Sequence, residues 1–104
     1  MKSTYKTKTR TFVKNNNFID RLMEVKGYYF NNDYFYYYKE DVRCWYLIDT
    51  KTGLSIEKYR TKKGLLEEIE EAIMKLNTYK ENYNKKYLNY VNEYNQLLKE
   101  SEVL

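Results

Sequence analysis

The side chains that could do chemistry in this chain are an uneven selection. Histidine is absent and Cys44 is the single cysteine. The commonest general base and metal ligand is therefore missing, and so is any Cys-rich zinc site. Gly27, Gly53 and Gly64 stand apart from one another and build no phosphate-cradling loop. Glu67, Glu68, Glu70 and Glu71 fall in the first turns of a predicted helix, where acids suit the helix dipole without any catalytic role. Carboxylates or tyrosines brought together only by folding are the one enzymatic route left. The composition leads us to expect no enzyme, no cofactor and no metal.

What the chain has in excess is tyrosine, with 14 residues. A tyrosine offers apolar area with a polar tip and loses little entropy when held, which suits a surface that grips a partner. Tyr34, Tyr36 and Tyr38 alternate along one stretch, Arg43 and Trp45 along the next, and Tyr59 closes a third. These six are the candidate partner-binding residues. A second set is basic: Lys2, Lys6, Lys8, Arg10 and Lys14 occupy residues 1–19 without a single acid, while residues 20–60 balance seven bases against seven acids. Such an arm could track phosphates, and is equally read as a solvated edge strand kept soluble by lysine. Cys44 reads as a small buried hydrophobe.

The elements that must position these residues centre on Arg43 to Ile73. Arg43–Asp49 is rich in β-branched and aromatic residues, and Leu54–Tyr59 alternates apolar with polar. Between them, Asp49-Thr50-Lys51-Thr52-Gly53 has turn chemistry. Thr61 is placed to cap a helix whose apolar positions are Leu65, Leu66, Ile69, Ala72, Ile73 and Leu76. Cys44, Tyr46, Ile48, Leu54 and Ile56 form the face that this helix is expected to cover. Upstream, Asn31-Asn32-Asp33 separates two short aromatic strands. Phe18, Ile19, Leu22, Met23 and Val25 fit a short helix capped by Asn17 and stopped at Gly27. Thr7, Thr9, Thr11 and Val13 would share one face of an N-terminal strand, with Lys6, Lys8, Arg10 and Phe12 on the other.

Beyond Leu65 neither glycine nor proline ends the helix. A 3,4-spaced seam continues through Tyr83, Tyr87, Tyr90, Tyr94 and Leu97, the candidate oligomerisation residues. An unbroken helix to Glu100 would be roughly 58 Å long at about 1.5 Å per residue. It must project and pair with a second copy, as a homodimer, or break near Asn77-Thr78 and fold back. The expected architecture is α+β: a short N-terminal helix, a three-stranded antiparallel sheet and a long C-terminal helix. Residues 1–76 would form the domain, with residues 1–16 as its basic arm, and residues 77–104 a Tyr-rich helical extension. The N-terminus lacks an apolar run behind its charge, and no stretch reaches the roughly 20 apolar residues of a membrane span, so a cytoplasmic protein is expected.

Two resemblances attach to these residues. Tyr36-Tyr37-Tyr38, Trp45-Tyr46-Leu47 and Thr61-Lys62-Lys63 before Leu65 make residues 34–73 similar to the AP2-like arm-binding domains of tyrosine integrases. That likeness implies three strands backed by a helix, with Arg43, Trp45 and Tyr59 laid on duplex DNA; Glu57 on the same face opposes this. In size, in Tyr/Asn/Lys bias and in lack of catalytic chemistry, the chain also resembles small accessory proteins of Gram-positive phages and mobile elements. These include anti-CRISPR inhibitors of Cas9. The second likeness implies a binding protein whose partner is a host CRISPR effector nuclease or its guide complex.

Overall fold

The structure, a computed structural model, describes residues 2–15 and 17–103, with the side chains of all of these except residues 11–13 and 103. The faces expected for Thr11, Phe12 and Val13 thus lie outside the described residues' side chains. The chain is α+β, with a five-stranded antiparallel sheet followed by two helices. β1 (Ser3–Val13), β2 (Asn17–Phe30), β3 (Tyr34–Lys39), β4 (Cys44–Asp49) and β5 (Leu54–Tyr59) lie side by side in chain order. α1 (Lys62–Asn82) and α2 (Asn84–Val103) come last.

Five strands rather than three is the first correction, and it removes the expected N-terminal helix. Residues 17–27 are extended and pair with β1 from Val13↔Asn17 to Ser3↔Gly27. The apolar positions from Phe18 to Val25 fit helical spacing, but cross-strand partners decide their state. Val25 stands opposite Tyr5, Met23 opposite Thr7, and Leu22 opposite Lys8. Charge supports the same register: Lys6 meets Glu24 and Arg10 meets Asp20, opposite charges placed directly across an antiparallel pair. The hairpin turns at Asn15, whose φ of 67° is a left-handed value that asparagine accepts more readily than most residues.

Gly27 is no helix stop either. Up to Gly27 β2 pairs with β1, and from Tyr28 to Phe30 it pairs with β3. A Cβ on Gly27 would lie 2.1 Å from the Tyr36 carbonyl oxygen and 2.8 Å from Tyr37 Cβ. The missing side chain lets β2 cross this close to β3 and carry the β1–β2 hairpin over the outer face of the sheet.

The sheet is therefore covered on both sides. Under the hairpin, Val25, Phe35, Tyr37 and Ile48 form one core, flanked by Tyr5, Met23 and Tyr46. On the other face, Leu65, Ile69 and Ala72 of α1 close over Tyr34, Tyr36 and Leu47, with Trp45, Ile56 and Tyr59 at the margin. Burying side chains such as Leu65 and Ile69 contributes about 1.5–3 kcal/mol each. This reverses the faces expected of β4: α1 covers Trp45 and Leu47, while Tyr46 and Ile48 lie beneath the hairpin. A register shift beside Leu47 and Ile48 explains part of the difference. Leu47 pairs with Glu57 and Ile48 with Ser55, so Ile56 is skipped and joins the α1 side with Tyr59.

Thr61 caps α1 as expected, its Oγ1 accepting from the Gly64 N–H at 2.9 Å. The expected break at Asn77-Thr78 does not occur. Thr78 stays helical and its hydroxyl donates to the Met74 carbonyl at 3.1 Å, a bond to the preceding turn that satisfies the side chain inside a helix. The chain breaks at Tyr83 instead, with φ −131° and ψ 47°. Two helices of 21 and 20 residues then fit a molecule of 39 × 33 × 28 Å, because α2 folds back across the hairpin and the β4–β5 turn.

Gly27→Val should destabilise the protein by roughly 1–3 kcal/mol or more, because a side chain there must displace strand backbone. Urea unfolding measures it; an unchanged midpoint would mean that the hairpin does not depend on the close crossing at Gly27.

Candidate functional site

The turn between β4 and β5 is densely bonded. Asp49 and Thr52 are both buried. The Asp49 carboxylate accepts from the Tyr87 hydroxyl at 2.7 Å and from Thr52 Oγ1 at 3.1 Å. Gly53, at φ 69°, is held by the Lys8 N–H at 2.9 Å and by Thr7 Oγ1 at 2.8 Å, both donating to its carbonyl. Tyr5 donates to the Thr50 carbonyl at 2.8 Å, and Thr50 N–H donates to the Asp33 carbonyl at 3.1 Å. A cavity of about 300 Å³ adjoins this turn beneath Tyr79, Tyr87 and Tyr90. The one acid in it, Asp49, is already engaged by Tyr87 and Thr52, so this concavity is bonded as a joint between elements.

Such bonds engage Tyr5, Tyr87 and Tyr94. Tyr87 (7% exposed) and Tyr94 (4%) pack into their own chain, Tyr94 donating to the Lys6 carbonyl. Tyr90 lies beside Lys8, and Leu97 lines a groove with Ile19. Of the candidate oligomerisation residues, Tyr83 alone is largely exposed, its ring tilted against Tyr79 at the interhelical break. Tyr87 and Tyr94 are thus engaged within their own chain, while Tyr90 and Leu97 stay half-buried.

The basic set is divided. Lys8, its side chain 6% exposed, is paired with Asp20 at 3.3 Å and Glu93 at 3.0 Å. Arg10 shares Asp20 at 3.5 Å, Lys6 stands across from Glu24, and Lys14 sits in the hairpin turn. No continuous phosphate track results, and much of the charge is matched by acids. Those acids were legible in the sequence, since Lys6 and Glu24, like Arg10 and Asp20, are equidistant from Asn15.

The partner-binding set is divided as well. Tyr34 and Tyr36 are core, and Tyr59 is half-buried opposite Trp45. The sheet face that an integrase-type domain would lay on DNA is occupied by the hairpin, and Trp45 and Tyr59 lie on the α1 side. Arg43 is exposed in the β3–β4 turn at φ 53°, a left-handed value.

What the fold does bring together is Tyr38, Trp45 and Lys2. Where β2 veers away from β3 it opens a cleft of about 560 Å³. Val25, Gly27 and Tyr37 lie along it, Tyr28, Tyr38 and Trp45 supply aromatic area, and Lys2, Lys26 and Lys39 supply positive charge. Tyr38 is 42% exposed and its ring centroid is 5.5 Å from that of Trp45. Lys62 Nζ stands 4.3 Å from the centre of Tyr28 and 5.9 Å from that of Trp45, so a cation already rests on the aromatic wall. Glu40 and Asp41 close the end at the β3–β4 turn. Sequence reasoning missed Tyr28, Lys26, Lys39 and Lys62. The signal available was Gly27 within a run of aromatic and basic residues, but its meaning depends on which strand stands opposite.

Among the described residues, no group of three or more His, Cys, Asp or Glu side chains could hold a metal ion, and no helix is long and apolar enough to cross a membrane. A scan against protein-family models, a search of curated proteins and a search of solved structures each gave no match to this chain.

Burial sets the ionisation of the tyrosines. It pushes Tyr37 up from 10.0 to about 12, with Tyr46 and Asp41 adding to the shift. Tyr87 is raised first by burial and then by its bond to Asp49, and Tyr5, Tyr34, Tyr36 and Tyr94 are also raised, burial leading in each. A tyrosine whose pKa is higher in the folded state keeps its proton while the unfolded chain loses it, so stability falls as pH rises past 10. Denaturant midpoints should fall between about pH 10 and 12, with tyrosinate absorbance appearing in the unfolding step. Ionisation of all 14 tyrosines before unfolding would contradict the burial assigned here. Tyr87→Phe should lose about 1.5–3 kcal/mol, the usual range for a hydrogen bond to a charged acceptor. Urea midpoints for the variant and wild type at neutral pH measure that loss.

Proposed function

We propose that this chain is a non-enzymatic binding protein of phage or mobile-element origin that restrains a host defence nuclease, a CRISPR effector of the Cas9 type, in the bacterial cytoplasm. The observation that supports this reading is the cleft beside Tyr38. It places aromatic and basic side chains on a surface whose backbone is fixed by cores on both sides of the sheet. A preorganised aromatic surface binds without the entropy cost of ordering loops. The concavity at Asp49 has its carboxylate committed to Tyr87 and Thr52. Size and composition, which resemble those of small inhibitors from mobile elements, supply the partner class.

The test combines a cleavage assay with light scattering, using the full-length protein and guide-loaded Cas9 enzymes from low-GC hosts. Cleavage should be inhibited with formation of a defined complex, and binding to free duplex DNA should be weak. Tyr38→Ala removes an exposed aromatic anchor and should weaken the complex about tenfold or more, the range of interface hot spots. Absence of both binding and inhibition across these enzymes would sink the proposal. Duplex binding that collapses with added salt would assign the protein to nucleic acid instead.

A further inference from the structure

We propose that α2 is an exchangeable strap. Two copies of this chain form a dimer in which the α2 of each occupies the other's seat on β1 and the β4–β5 turn. The residues lining the cleft beside Tyr38 all lie outside α2, so this exchange is independent of the role proposed above.

The contacts that hold α2 supply the first argument. Tyr87 donates to Asp49 at 2.7 Å, Tyr94 donates to the Lys6 carbonyl, and Glu93 pairs with Lys8 Nζ at 3.0 Å. Tyr94 also lies against Tyr5, their ring centroids 6.1 Å apart. The seat itself is built without α2. Lys8 N–H and the Thr7 hydroxyl donate to the Gly53 carbonyl, and Tyr5 donates to the Thr50 carbonyl. These bonds keep β1 joined to the turn whichever chain supplies the helix.

The connection supplies the second argument. α1 ends at Asn82 and α2 begins at Asn84, so Tyr83 alone joins them. Connections between packed helices usually take about 2–8 residues. A short hinge invites exchange because it restricts how a chain closes on itself. Residues 81–86 are all exposed, so turning about Tyr83 disrupts no buried packing at the hinge. α2 contains neither glycine nor proline and moves as one rod.

The seat then selects its occupant. With α2 away, the buried Asp49 carboxylate loses the Tyr87 hydroxyl and the Lys6 carbonyl loses that of Tyr94, which is costly for groups held out of water. Refilling the seat takes two hydroxyls and a carboxylate at the spacing of Tyr87, Tyr94 and Glu93. The α2 of a second copy meets that requirement by identity. Exchange of this kind conserves the contacts and costs the joining of two chains, so the dimer fraction rises with protein concentration.

The experiment uses the full-length protein in unlabelled and in nitrogen-15-labelled form. Equal amounts are mixed in urea, refolded at about 10 μM and at about 1 mM, and separated by size with light scattering. A carbodiimide then joins Lys8 Nζ to the Glu93 carboxylate as an amide, and mass spectrometry of the digest reads which chains are linked. The dimer fraction should rise about tenfold or more between the two concentrations. Its Lys8–Glu93 peptides should include pairs of one light and one heavy chain, whereas the monomer should give none. Inserting Gly-Ser-Gly after Tyr83 lengthens the hinge, lets α2 close on its own chain, and should lower the dimer fraction about fivefold or more. No dimer at the higher concentration overturns the inference. A dimer whose Lys8–Glu93 links all stay within one chain overturns it too, since that is association without exchange. An insertion that leaves the dimer fraction unchanged does the same.

Discussion

A buried carboxylate stabilises a fold only when its lone pairs are occupied, and Asp49 imposes that condition on this molecule. It is met by the hydroxyl of Tyr87 from α2 and by Thr52 from the adjoining turn. The same turn presents the Gly53 carbonyl to Lys8 and Thr7 of β1, and the Thr50 carbonyl to Tyr5. A segment of five residues thus ties together the first strand, the β2–β3 turn, the central hairpin and the last helix. Gly53 cannot be replaced without penalty, since its φ is 69° and a Cβ would lie 2.5 Å from the Tyr94 ring. Polar networks of this kind are costly when partly satisfied and specify one arrangement when complete.

The second constraint is steric. At Gly27 two strands approach so closely that no side chain fits, and this lets one long strand belong to two pairings in succession. The bend has a structural and a functional consequence. It closes the outer core around Phe35 and Ile48, and it leaves the end of β3 paired with β4 but not with β2. The cleft is therefore a by-product of how the sheet is covered, and its walls are as rigid as the cores that flank it. That rigidity connects packing to the binding role proposed here.

Tyrosine serves two purposes in the chain, and burial separates them. Tyr34, Tyr36, Tyr37, Tyr87 and Tyr94 are interior residues, and where their hydroxyls meet Asp49 or the Lys6 carbonyl they act as hydrogen-bonding struts. Tyr38 keeps much of its ring in solvent beside Trp45. An alternation that makes Tyr34, Tyr36 and Tyr38 look equivalent in sequence conceals this difference, because α1 reaches over the first two and not fully over the third. The basic arm is divided in the same way: Lys8 is sequestered between Asp20 and Glu93, while Lys2 reaches the cleft.

Local chemistry determined several elements outright. Asn31-Asn32-Asp33 and Asp49 to Gly53 are turns because their residues accept left-handed or side-chain-bonded backbone, and Thr61 caps α1 because its hydroxyl reaches the Gly64 N–H. Aromatic and β-branched runs in β3 and β4, and the apolar–polar alternation of Leu54–Tyr59, likewise specified these strands. Tertiary structure decided what spacing alone leaves ambiguous. The apolar residues between Phe18 and Val25 satisfy a helix and a strand equally, and pairing with β1 selected the strand. Which β5 side chains meet α1 turned on a one-residue slip at Ile56, since a slip of one residue changes which side chains share a face. Tyr83 rather than Asn77-Thr78 ends α1, because the tyrosines of α2 find partners on the hairpin and the β4–β5 turn once the chain folds back there. The cleft had no sequence signature of its own, since it exists only where two strands part, and the sequence records neither strand's neighbour.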